Sequence, residues 1–153
     1  MTNKIRAKNS YTIVGLGNPG EEYALTRHNA GRRTVERFRE EHGFSDWKKS
    51  RSAEALLAEG KIGGVSVTLL LPERFMNRSG ASVAALVKSP RAAERLIVAY
   101  DDIDLPLGSV KISFGRSSGG HKGLESVIRA LKTRDFARVR IGVSPAGARG
   151  KVK

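Results

Sequence analysis

Residues 13 to 29 (IVGLGNPGEEYALTRHN) bring a glycine-rich turn together with three polar side chains able to do chemistry, Asn18, His28 and Asn29. An imidazole changes protonation near neutral pH and can act as a general base, while amides can orient a carbonyl or steady a developing oxyanion. A lone histidine is by default a packed or surface residue. His28, however, lies in a polar loop between Arg27 and Asn29, after a strand end, where an imidazole meets solvent and substrate. Such a base needs a carboxylate to fix its tautomer and steady the imidazolium. Asp101, at the mouth of the apolar run Arg95 to Tyr100, is the best placed of the acids.

Other chemistries fit less well. Gly15-Leu16-Gly17-Asn18-Pro19-Gly20 matches the G-x-G-x-x-G pattern of a dinucleotide-binding turn. That turn wants a helix opening at the glycines and a second strand with an acid about 20 positions on. Here Glu21-Glu22-Tyr23 reads as a turn and Thr34 to Glu41 as helix, so the glycines are read as a tight turn of positive φ and no nucleotide is expected. Asp101, Asp102 and Asp104 offer hard oxygens to a divalent ion, but Asp102 and Asp104 precede a Leu-Pro turn whose amides they can cap. With no cysteine, thiolate nucleophiles and Cys-ligated metals are excluded. Water activated by His28 is the expected attacker, with neither cofactor nor metal.

Substrate groups are sought nearby. Phe75-Met76-Asn77 follows the strand-ending Pro72; Phe and Met there suit a core, yet an amide among apolar groups suits an oriented substrate. The loop Gly115 to Gly120, followed by His121 and Lys122, offers backbone N–H groups to an anion, or is simply a flexible connection. The chain carries 28 Lys and Arg against 15 Asp and Glu, a formal +13, which points to a polyanionic partner. No run of 18 apolar residues and no signal-like segment occurs, so a cytoplasmic, non-membrane protein is expected.

The elements that must position these groups alternate along the chain. Strands are expected at Tyr11 to Leu16, Glu54 to Glu59, Val65 to Leu71, Arg95 to Tyr100, Ser109 to Phe114 and Ala137 to Val143. The second and third form a hairpin around Gly60-Lys61-Ile62-Gly63-Gly64, closed by Pro72. Helices are expected from Asn29 to Gly43, from Ser79 to Val87, and from His121-Lys122-Gly123 to about Lys132. In the fifth strand Val110, Ile112 and Phe114 alternate with Lys111 and Ser113. This is one α/β domain over residues 1–153, a twisted, mostly parallel mixed sheet flanked by helices, with a flexible basic start (1–10) and a tail (144–153). Ligands of such sheets bind outside the carboxyl ends of strands, which places Asn18, Asp101 and the 115–121 loop on one edge.

Five spaced segments carry a resemblance: VGLGNPGEEYALTRHNAG (14–31), PERFMNRSG (72–80), AYDDIDLPLG (99–108), GGHKGLES (119–126) and FARVRIGV (136–143). Their residues and order resemble bacterial-type peptidyl-tRNA hydrolases. The resemblance implies a metal-free esterase that cleaves peptide from tRNA, with His28 as base, Asp101 as its carboxylate and Asn18 distinguishing peptidyl from aminoacyl ends. It further implies substrate or tRNA contacts from Tyr23, Phe75, Met76, Asn77, His121 and Lys122, a phosphate contact from Arg140, and a monomer. Two positions depart: Lys122 replaces an asparagine, and Ser113 replaces a basic residue for which Lys111 is expected to substitute. Relatives continue past the position of Lys153 through a lid and a C-terminal helix, so an open cleft is expected. The alternative is a non-catalytic RNA-binding protein on the same scaffold.

Overall fold

A computed structural model describes residues 10–145. Its frame is a seven-stranded sheet in the order β2-β3-β4-β1-β5-β7-β6. The strands are β1 (Tyr11–Gly15), β2 (Lys48–Ser50), β3 (Ala55–Ile62), β4 (Val65–Pro72), β5 (Leu96–Pro106), β6 (Val110–Phe114) and β7 (Ala137–Ser144). Three helices, α1 (Ala30–Glu41), α2 (Ser79–Ala84) and α3 (Lys122–Leu131), complete one α/β domain. The four inner strands β4, β1, β5 and β7 are parallel, while β2–β3, β3–β4 and β6–β7 pair antiparallel. Antiparallel pairing is therefore more extensive than the single expected hairpin, because both margins of the sheet fold back on themselves.

The inner strands are apolar on both sides because both sides are covered. One face packs Val14, Leu70, Leu96 and Val98 against Val83 of α2 and Leu124, Val127 and Leu131 of α3. The other buries Val35 of α1 with Leu69, Leu71 and Ala99, and Phe44 closes its rim. α1 can approach closely because Gly15 and Gly31 face each other: a Cβ on Gly15 would lie 2.7 Å from the Gly31 carbonyl oxygen. The helix start is stitched to the sheet by Arg32 N–H donating to the Leu16 carbonyl, and Leu16 N–H donates to Ala99, each at 3.0 Å.

Several boundaries differ from expectation for local reasons. The β3–β4 hairpin turns on Gly63-Gly64 alone, both at positive φ, so Gly60-Lys61-Ile62 continue the strand. β5 does not stop at Tyr100 but runs to Pro106, with a register shift between Asp102 and Pro106 that bows the acidic segment outward. Within that bow Asp104 N–H donates to Asp102 Oδ1 at 2.8 Å, the amide capping expected of this pair. α2 ends at Ala84, and the short strand β2 was not anticipated. In β6 the alternation is as expected, yet Val110, Ile112 and Phe114 are 58%, 71% and 59% exposed, because α1 packs on β1, β4 and β5 and barely reaches β7. The expected flexible start and the tail fall outside the described residues, apart from Ser10, Ser144 (the end of β7) and Pro145.

The Gly31 contact generates a prediction. A methyl group there would be driven into the Ala99 carbonyl, a backbone group that cannot swing aside. Overpacking of this kind costs about 1–3 kcal/mol, more than the ~1 kcal/mol that alanine gains in helix propensity. Gly31→Ala is expected to lower the urea midpoint at unchanged m-value.

Candidate active site

The carboxyl ends of β1 and β5 and the amino ends of α1 and α3 meet at one cleft. His28 sits in a 3-10 turn, Arg27–Asn29, that leads directly into α1. Its neighbour Asn29 is buried and bonds the glycine-rich loop twice: Oδ1 accepts Asn18 N–H at 2.8 Å and Nδ2 donates to the Asn18 carbonyl at 2.9 Å. Gly17 packs against the same amide, where a Cβ would lie 2.8 Å from Asn29 Oδ1. Close approach, not positive φ, thus explains Gly15 and Gly17; in this loop only Gly20 has positive φ. A 3-10 turn, Glu21–Tyr23, follows these glycines, and the first α-helix begins only at Ala30.

Asp101, on β5, is 7% exposed and is held from two sides. His28 Nδ1 lies 2.7 Å from Asp101 Oδ2, and His121 Nε2 lies 2.8 Å from Asp101 Oδ1. The base and carboxylate expected from the sequence are therefore together, across 73 residues. His28 remains half-exposed and lines a cleft of about 300 Å³ with the 101–104 segment, the 116–120 loop, His121, Lys122 and Arg140. The three side chains offer ligand atoms within 4.8 Å of one another. At 2.7 and 2.8 Å the nitrogen–oxygen pairs are at hydrogen-bond distance, one to each carboxylate oxygen.

The loop reaches this cleft by an unexpected path. β6 is antiparallel, so Phe114 pairs with Ala137 at the amino end of β7. The loop must then cross the sheet face before His121 arrives at Asp101, its ring 5.0 Å from Tyr100.

The remaining candidates divide into cleft, support and periphery. Asn18 Oδ1 accepts Met76 N–H at 2.5 Å, so its side chain anchors the 75–77 segment. Met76 itself points inward, 5% exposed in the core, and supports the site from beneath instead of lining it. Asn77 and Phe75 are exposed beside it, and Phe75 stacks edge-on with Tyr23 at 6.2 Å. Lys122 is exposed on the rim as the first residue of α3. Lys111 is exposed on β6 opposite Arg140. Arg140 is not a free cation: its Nε donates to Asp102 Oδ2 at 2.9 Å, with both side chains largely buried. Strand alternation puts Asp102 on the same face as Tyr100, whose register partner is Arg140, and that alternation is the sequence signal for the pair.

The hydrogen bond it donates to Asp101 raises the His28 imidazole above its ordinary 6.5; burial opposes this and the carboxylate charge adds to it. Burial alone would push Asp101 up, but the hydrogen bonds from His121 and His28 outweigh it and hold the carboxyl well below the ordinary range. The signs follow from linkage. The raised imidazole contributes stability that is full below about 6.5 and is lost as pH rises through its folded value; the depressed carboxyl contributes above about 3.9 and loses this as pH falls. Imidazole NMR titration is expected to place His28 above 6.5, and Asp101→Asn to bring it down. An unshifted His28 in that variant would refute the pairing.

A family model described as peptidyl-tRNA hydrolase matches residues 12–153. A peptidyl-tRNA hydrolase of Koribacter versatilis is 47% identical over 135 residues, 87% of this chain and 66% of the relative. One from Syntrophotalea carbinolica is 46% identical over 86% of this chain and 68% of its own length. This chain thus spans about two thirds of the length of these relatives. The crystal structure of peptidyl-tRNA hydrolase from Acinetobacter baumannii superposes with a TM-score of 0.83 at 39% identity, over 94% of this chain and 73% of that one. Fold, motif order and sequence agree, and the chain belongs to the peptidyl-tRNA hydrolase family.

Proposed function

We propose that this protein hydrolyses the ester linking a peptide to the terminal ribose of tRNA, with His28 as general base. The observation that carries the reading is the 2.7 Å contact between His28 Nδ1 and Asp101, which leaves Nε2 as the nitrogen available to the cleft. Water held at Nε2 gives up a proton to the imidazole as its oxygen attacks the ester carbonyl. Asp101 steadies the imidazolium and keeps the proton-bearing Nδ1 turned away from the substrate. The tetrahedral intermediate then expels the ribose oxygen, which takes the proton back from Nε2. Peptide acid and free tRNA leave, and atoms and charge balance without a redox partner.

Asn18, whose side chain anchors the 75–77 segment, and Asn77 within that segment are assigned to substrate orientation, with Tyr23 and Phe75 as an aromatic wall for the peptide or the terminal base. Lys111, Lys122 and Arg140 are assigned to the tRNA backbone, in keeping with the +13 charge. The protein is proposed to act as a monomer in the cytoplasm without a metal. No helix among the described residues is long and apolar enough to cross a membrane.

His28→Ala is expected to slow release of peptide from peptidyl-tRNA by roughly 10²–10⁴-fold while tRNA binding persists. Free aminoacyl-tRNA is expected to survive the parent protein. A parent that binds peptidyl-tRNA but never cleaves it would replace the hydrolase reading with that of an RNA-binding scaffold.

A further inference from the structure

His121 does more than line the cleft. A backbone N–H can only donate, and Leu124 N–H points at His121 Nδ1 from 3.1 Å. Nδ1 must therefore carry no proton, the ring proton sits on Nε2, and Nε2 donates to Asp101 Oδ1 at 2.8 Å. The tautomer is dictated by the first turn of α3, of which His121 is the N-cap. The ring is also fixed mechanically. It is 7% exposed, stands edge-on to Tyr100 at 5.0 Å and lies 4.8 Å from the His28 ring.

A carboxylate is planar, so fixing Oδ1 fixes the plane in which Oδ2 meets His28 Nδ1. The same donor draws negative charge toward Oδ1 and so limits how strongly Oδ2 holds the His28 proton. We propose that His121 is a positioning residue for the reaction: helix α3 sets its tautomer, and it sets the orientation and strength of the carboxylate that serves His28. The proposal rests on the hydrolase reading for its kinetic consequence, but its geometric content stands apart from it.

Two substitutions separate this role from helix capping. His121→Asn supplies an oxygen near the position of Nδ1, and Asn is a good N-cap, so α3 keeps its cap while Asp101 loses its second donor. His121→Gln places an N–H near Nε2, so Asp101 keeps its donor while the cap is weakened. The expected result is that His121→Asn lowers kcat by about tenfold or more with little change in KM, the scale of one lost hydrogen bond to a charged group. In the same variant the His28 NMR titration moves to higher pH than in the parent, while His121→Gln restores most of the rate and the parental titration. Arg116, Lys122, Asp102 with Arg140, and Asp104, the other charged groups facing the pair, are unchanged in both variants. Parental rate and titration in His121→Asn would overturn the proposal, as would a Gln variant that is as slow as Asn with His28 unmoved. If the parent cleaves no peptidyl-tRNA but His28 still shifts in His121→Asn alone, the hydrolase reading falls and the positioning role stands.

Discussion

A carboxylate inside a protein is tolerated only when its charge is answered by hydrogen bonds, and the fold around Asp101 is organised to supply them. Three separate elements converge on this one group. β5 carries it, the 3-10 turn before α1 delivers His28, and the amino end of α3 delivers His121. Each delivery needs a close backbone approach, made at Gly15 and Gly31 under α1 and at Gly123 beside Met76 under α3. The layered sheet is thus the means by which two imidazoles reach opposite edges of a single carboxylate.

Much of this was legible in the residues. The His28–Asp101 pairing could be read because strand ends in an α/β sheet share an edge, and the order of apolar runs and glycines located those ends. His121 is expected only as a substrate contact, since its pairing with Asp101 depends on a loop that crosses the sheet face, and the crossing follows from β6 being antiparallel. Local pattern does not report strand direction. Arg140 is expected as a phosphate contact, and its pairing with Asp102 depends on strand register, which sets Tyr100 beside Arg140 and which local pattern does not report. Met76 shows the reverse case: its apolar side chain suits the core, where it lies, while its backbone amide does the polar work for Asn18.

The basic character of the chain is also redistributed by the fold. Arg32 is paired with Glu73, Arg74 with Glu54 and Arg140 with Asp102. Arg138 is wholly buried, its guanidinium 4.3 Å from the Phe136 ring and donating to the Arg134 carbonyl at 2.8 Å. A share of the arginines is therefore structural cement. The field that a polyanion meets at the cleft is set more by exposed groups such as Arg116 and Lys122 on its rim.

The central place of β1 bears on how the chain acquires this structure. β1, the earliest strand among the described residues, has both its neighbours far ahead in sequence, with Tyr11 beside Val67 and Thr12 beside Leu96. By contrast, β3 and β4 are joined by a two-residue turn and can close locally. Pairings over such separations bear a large loop-closure cost and come slowly, so β1 waits for partners that emerge much later. His28 hangs from that strand and Asp101 from one of those partners. The His28–Asp101 pair is consequently absent from every partly folded form in which β1 and β5 are still apart, and it arrives only with closure of the sheet.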